Sequence, residues 1–102
     1  MDFGQAVKAL KEGEMVYREG WNGKGLFVFM QITSAIPAHI VPNMQSLPQK
    51  VKDEFEFRFQ KFSTLTDIYY SNQLAIVDMS NNIKGWSPSV SDCLDKDWVI
   101  YT

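Results

Sequence analysis

The stretch Leu26-Phe27-Val28-Phe29-Met30-Gln31-Ile32 constrains the fold of this chain more than any other. Side chains of a strand alternate between its two faces, so Leu26, Val28, Met30 and Ile32 point one way and Phe27 and Phe29 the other. Both sets are apolar, so the strand has to be covered on both sides. Asp97 to Tyr101 repeats the pattern, with Trp98 and Ile100 on one face and Val99 and Tyr101 on the other. Any fold must place something over each face of a sheet that contains these two segments.

Covering elements are few. Residues 2–12 predict a helix of about three turns: Asp2 suits the N-cap, Phe3, Val7 and Leu10 share a face that Ala6 and Ala9 widen, and Gly13 suits the stop. Residues 48–60 carry two patterns. Phe55, Phe57 and Phe59 alternate with charged residues as in a strand, while Leu47, Val51, Phe55, Phe59 and Phe62 form a helical stripe. Pro48 suits a first helical turn, and Lys50 with Glu54 and Lys52 with Glu56 are spaced for i,i+4 pairs, so the helix is the preferred reading. Residues 33–49, with Pro37, Pro42 and Pro48, read as a long loop with extended pieces.

Further strands are expected at Met15–Arg18, Ile68–Tyr70, Gln73–Met79 and Ile83–Trp86, the last two joined through Ser80-Asn81-Asn82. A short helical turn begins at Ser89, with Asp92 three residues on in a capping-box relation. Residues 1–102 are therefore read as a single domain of α+β class, a small antiparallel β-sheet of four to six strands with an N-terminal α-helix and one further short helix. The three-turn helix covers one face of that sheet. A second copy of the chain is preferred over the 48–60 helix as the cover of the other, so a homo-oligomer is expected.

Composition narrows the function classes. A formal net charge of −2 provides no global field for DNA or RNA. The single cysteine, Cys93, excludes an internal disulfide, and with the single histidine, His39, it cannot build an ordinary Cys/His zinc site within one chain. A cytoplasmic location fits that cysteine usage, and no signal peptide or membrane span is read. Seven Phe, four Tyr and three Trp are hard to hide in 102 residues, so some rings should line a pocket or a subunit interface.

Two segments can carry chemistry. In Arg18-Glu19-Gly20-Trp21-Asn22-Gly23-Lys24-Gly25, glycines allow close backbone approach, successive N–H groups can cradle an anion, Arg18 and Lys24 suit phosphate, and Trp21 suits stacking on a base. A plain hairpin turn with a packed tryptophan and two solvated cations fits the same residues. In the segment from Gly85 to Trp98, Trp86 can wall a pocket, Ser87, Ser89 and Ser91 offer hydroxyls, and the start of the short helix offers N–H groups to an anion. Here Ser89 and Asp92 also fit as caps, with Leu94 and Trp98 in the core. Elsewhere, His39 has no local nucleophile or carboxylate beside it in sequence. Cys93 reads as a buried small residue, and Glu54, Glu56 and Arg58 as a solvated helix face. Asp92, Asp95 and Asp97 lack a metal-binding pattern. No catalytic constellation and no cofactor motif appear.

Taken together, MDFGQAVKALKEG, YREGWNGKGLFVFM and GWSPSVSDCLDKDW resemble the second type of Thoeris anti-defence protein, a family of small phage and prophage proteins. The resemblance covers about residues 1–32 and 73–102, with Trp86, Ser89, Asp92, Leu94, Asp97 and Trp98 at the family's spacing; residues 33–72 depart from the shorter members and look like an insertion. It implies a sponge that holds a glycocyclic ADP-ribose signal made by bacterial TIR-domain enzymes, in some relatives also cyclic dinucleotides. The ligand is not cleaved, and pockets form at the subunit interfaces of a homotetramer. On this reading Trp21 and Trp86 stack on adenine or wall the pocket. Asn22, Lys24 and the N–H groups near Gly23 and Gly25 meet phosphate or ribose, Arg18 adds charge or fixes the loop, and Ser89 and Asp92 meet sugar hydroxyls. No nucleic acid and no membrane is implied as a partner. A protein–protein adaptor and a small nucleotide-processing enzyme are the competing classes.

Overall fold

Asp2 starts the first helix as its chemistry predicts. Its carboxylate accepts from the Gln5 N–H at 2.7 Å, and the Gln5 side chain accepts from the Asp2 N–H at 2.9 Å, a complete capping box. The helix, α1, runs Phe3–Lys11 and buries Ala6, Ala9 and Leu10. The computed structural model of the chain describes residues 1–21 and 23–102; Asn22 lies outside the described residues.

The remaining elements in chain order are β1 (Val16–Arg18), β2 (Phe27–Gln31), β3 (Ser34–Pro37), α2 (Gln49–Lys61), β4 (Asp67–Tyr70), β5 (Gln73–Val77), β6 (Ile83–Gly85), α3 (Val90–Leu94) and β7 (Trp98–Ile100). Short 3-10 turns occupy Glu19–Trp21 and Val41–Asn43. The chain divides into two compact units, Met1–Ile32 with Asn72–Thr102, and Thr33–Ser71.

The first unit holds a five-stranded antiparallel sheet in the order β6-β5-β2-β1-β7. Its register sorts the side chains. Val16 lies opposite Val28 and Ile100, Arg18 opposite Trp98, Met30 opposite Leu74 and Val28 opposite Ile76. This face packs on α1, where Ala6, Ala9, Leu10, Val16, Val28 and Trp98 form the core. The other face carries Tyr17 opposite Val99, Phe27 opposite Val77 and Phe29 opposite Ala75. Both faces of β2 and β7 are thus apolar, as alternation requires. The class is α+β, an antiparallel sheet with an N-terminal helix and further short helices.

The second unit pairs β3 with β4 as a two-stranded antiparallel ribbon and adds α2. The preference for a helix at 48–60 holds. Pro48 occupies the N-cap and makes no side-chain cap hydrogen bond. Lys52 reaches back to the Pro42 carbonyl at 3.2 Å, and the i,i+4 ion pair on this helix is Glu54 with Arg58 at 3.7 Å. Glu54, Glu56 and Arg58 are solvated, as expected.

Four local expectations change. Residues 33–49 are not all loop: Ser34–Pro37 form β3, and Pro37 is accommodated because it ends a strand that has only one neighbour. The strand expected at 26–32 is shorter, and Ile32 is exposed. Leu94, expected in the core, is 72% exposed. α3 turns Asp92 inward, and a residue two positions on falls on roughly the opposite side of a helix. Cys93, expected to be buried, is exposed on the same short helix.

Candidate functional site

Three tryptophans meet in the first unit. Trp98 is 1% exposed at the start of β7, and Trp21 and Trp86 each lean on it nearly perpendicular, at centroid distances of 5.6 Å and 5.9 Å. Phe3 of α1 meets the same indole at 5.6 Å. Tilted and edge contacts of this kind are worth about 0.5–1.5 kcal/mol each beyond the area they bury. Trp21 and Trp86 are only half-buried. One buried ring therefore joins the two tryptophan-bearing bends that sequence reading singled out.

Beside the rings lies a polar knot. Arg18, at the end of β1, is 8% exposed. Its Nε donates to Asp97 at 2.8 Å, Nη1 donates to Asp92 at 2.8 Å and to Ser91 Oγ at 3.4 Å, and Nη2 pairs with Asp95. Asp92 is buried to the same degree. Its carboxylate also accepts from the Ser89 N–H at 2.8 Å, and its N–H donates to Ser89 Oγ at 3.1 Å. The Asp92 carbonyl accepts from Trp98 Nε1 at 2.8 Å, which ties the knot to the indole cluster. Asp97 accepts from the Gly20 N–H at 2.9 Å, and a Cβ on Gly20 would stand 3.0 Å from that carboxylate.

These contacts set the charges. Hydrogen bonds to Asp97 and Asp92 hold the Arg18 guanidinium protonated far above its ordinary range. Burial works against an ionised Asp92, but the Ser89 N–H and Arg18 outweigh it, so its carboxyl titrates below the usual range. Arg18 and the Gly20 N–H lower Asp97 likewise. Carboxyls pushed down in this way are poor proton carriers at neutral pH.

The sequence-predicted site residues separate into two groups around the indoles. Arg18, Ser89 and Asp92 are engaged with one another. In the two segments read as anion-binding, the N–H groups of Gly20, Ser89 and Asp92 are filled by the chain's own side-chain oxygens. Trp21, Gly23 and Lys24 line an open recess of about 270 Å³ with Tyr17, Tyr101 and Thr102. The loop bends there through left-handed backbone at Gly23 and Gly25, and a side chain on Gly25 would run into Met79. Trp86 stands on the other bend. The role read for Asn22 falls outside the described residues.

Sequence reading missed Tyr17, Tyr101, Asp95 and Asp97. The two tyrosines meet edge-on at 5.7 Å, and Phe27 packs on Tyr101 at 5.2 Å. Their signal was present in the alternation that puts Tyr17 and Tyr101 on the sheet face away from Trp98. The close spacing of Asp92, Asp95 and Asp97 was visible but serves an arginine, and no group of three or more His, Cys, Asp or Glu among the described residues fits a metal ion. In the second unit, His39 does have company that its sequence neighbours hid. It lines a recess of about 270 Å³ with Lys52, Asp53 and Glu56. No helix among the described residues is long and apolar enough to cross a membrane.

The family model for the Thoeris anti-defense 2-like domain matches residues 1–101. The chain belongs to this family. It is 33% identical over 100 residues to Thoeris anti-defense 2 of Bacillus phage SP01, an alignment that covers 98% of this chain and 93% of that protein. Membership makes the role anti-defence. The matched span runs through residues 33–72 as well as the two flanking segments that carry the resemblance.

Proposed function

We propose that this chain is a sponge that binds glycocyclic ADP-ribose, and cyclic dinucleotides as a second class, without cleaving them, so that a Thoeris effector is never activated. The observation that carries the reading is the meeting of Trp21 and Trp86, both half-buried residues, on Trp98. Stacking of a base on an aromatic side chain contributes about 1–3 kcal/mol.

Charge orients such a ligand. In the polar knot, one guanidinium faces three carboxylates, which leaves two negative charges in excess. Phosphates are repelled there and drawn to the recess that holds Lys24. Adenine and ribose then lie toward the tryptophans and the serine hydroxyls of Ser87, Ser89 and Ser91. The apolar sheet face of Tyr17, Phe27, Phe29 and Val99 supports assembly into a homotetramer whose subunits share the pockets, in the bacterial cytoplasm.

The test is binding followed by recovery. Calorimetry with glycocyclic ADP-ribose is followed by heat denaturation and mass analysis of the released nucleotide. Intact ligand is expected; a converted product points to catalysis and overturns the sponge, with the His39 recess as the place to look. Trp86→Ala should weaken binding about tenfold or more, about 1.4 kcal/mol, while the assembly persists. Unchanged affinity removes Trp86 from the site. Exposed Phe57, Phe62 and Tyr69 favour a second reading, a protein–protein adaptor, which a host-protein complex formed without any nucleotide affinity would support.

A further inference from the structure

We infer that Arg18 is a positioning residue of the tryptophan niche, a clamp that sets the relative placement of Trp21, Trp86 and Trp98, and not a ligand of phosphate. The inference rests on the reading of that niche as a nucleotide site.

Two chains of contacts run from the guanidinium to the rings. The first passes through Asp92, whose carboxylate takes Arg18 Nη1 and whose carbonyl takes Trp98 Nε1, each at 2.8 Å. Trp98 in turn meets Trp21 and Trp86. The second passes through Asp97, whose Oδ1 takes Arg18 Nε at 2.8 Å and whose Oδ2 takes the Gly20 N–H at 2.9 Å, one residue before Trp21. Asp97 itself precedes Trp98. The same side chain thus fixes the turn that carries Trp21 and the helix that holds the Trp98 indole.

Only an arginine makes this arrangement. Its planar fork presents donors in three directions, and here Nε, Nη1 and Nη2 each take a different carboxylate. A lysine ammonium is a point charge on a flexible stem and cannot hold three acceptors at fixed angles. The surroundings also argue against phosphate. The guanidinium is nine-tenths covered, its neighbours are anions, and an incoming phosphate would meet three carboxylates already paired with it, of which Asp92 is buried and Asp95 is on the solvent side.

Arg18→Lys and Asp95→Asn test the clamp, with Lys24→Met as the contrast. Far-UV circular dichroism reports folding, near-UV circular dichroism reports the packing of the tryptophans, and calorimetry at low and high salt reports affinity for glycocyclic ADP-ribose. In Arg18→Lys the far-UV spectrum is retained, the near-UV tryptophan bands change, affinity falls about tenfold or more, and the salt dependence of binding stays that of the parent. Asp95→Asn moves the same readouts less, and it carries the test if Arg18→Lys does not fold. Lys24→Met loses salt dependence and keeps the near-UV bands.

Parental affinity in Arg18→Lys overturns the clamp. So does a loss of salt dependence with unchanged tryptophan bands, which makes Arg18 a phosphate ligand. If the parent chain binds no glycocyclic ADP-ribose, the sponge reading fails separately. The near-UV comparison then decides the clamp alone: altered bands support it and unaltered bands overturn it.

Discussion

In the unit built from residues 1–32 and 72–102, Trp98, Leu10, Val16 and Val28 are almost wholly buried, whereas in the unit built from residues 33–71 Phe57, Phe62, Leu65 and Tyr69 stand in solvent. Both helices of the first unit begin with a complete capping box, at Asp2 and at Ser89. The helix of the second begins at Pro48 without a side-chain cap, and none of its described side chains is buried. The first unit contains its own reasons to hold one shape. Both units expose aliphatic side chains, Ile32, Met79, Ile83, Val90 and Leu94 in the first among them. Among the described residues, however, the exposed rings, Phe57, Phe62 and Tyr69, belong to the second, and rings in solvent mark a surface with something left to bind.

Removal of the central ring is the hardest test of that contrast. Trp98→Ala deletes the buried indole on which Phe3, Trp21 and Trp86 all rest, and should cost about 3–5 kcal/mol in chemical denaturation. Phe57→Ala, at a ring that is 56% exposed, should stay within about 0.5 kcal/mol. Comparable losses from the two substitutions would break the comparison, because Phe57 would then be carrying a share of the fold that its exposure denies.

What was legible in the sequence follows the same division. In the first unit each signal is local and reinforced. Asp2 with Gln5 and Ser89 with Asp92 are caps written in four residues, and the two-faced strands need only a period of two. The core placement of Trp98 was legible too. The placement of Leu94 was not, because a five-residue helix gives no stripe long enough to fix its rotation, and the inward turn of Asp92 is set by Arg18, more than 70 residues away. For the same reason the Arg18 knot was invisible: its three carboxylates read as a failed metal motif until β7 brings them opposite the end of β1. In the second unit, alternating Phe55, Phe57 and Phe59 supported strand and helix alike, and the pairing of β3 with β4 joins segments about thirty residues apart through a proline-rich stretch. The recess around His39 likewise depends on a helix that its sequence neighbours do not announce.

Acid sharpens the comparison from the polar side. Asp92 and Asp97 titrate below their ordinary range when folded, and so does Asp78, whose carboxylate is held by Asn82 and Ser80 in the turn between β5 and β6. Groups with lowered folded pKa values stabilise fully above the unfolded value of about 3.9, and that contribution drains as pH falls through the folded values. All of them lie in the first unit, and so do all three tryptophans. Urea midpoints followed by tryptophan fluorescence should therefore hold steady from neutral pH to about pH 4 and drop below it. Asp92→Asn should lower the midpoint at neutral pH and flatten the acid limb. A midpoint indifferent to acid down to about pH 2.5 would mean that the knot contributes nothing to the fold.

The smallest expected effect lies at the uncapped helix. Pro48 has the extended backbone of an N-cap but no oxygen to offer the exposed N–H groups behind it, and the first turn of α2 carries no acidic residue. Pro48→Asp supplies a cap worth about 1 kcal/mol and a charge at the positive end of the helix worth about 0.3–1 kcal/mol. Against these stands the loss of proline's restraint on the unfolded chain, about 0.4–1 kcal/mol. The balance is a gain of about 0–1.5 kcal/mol, read as slower amide exchange across residues 49–61 with little change in the tryptophan signal. A clear loss of protection would show that Pro48 holds the start of α2 by its ring, and that the second unit's order is already written into its backbone rather than waiting for a cap.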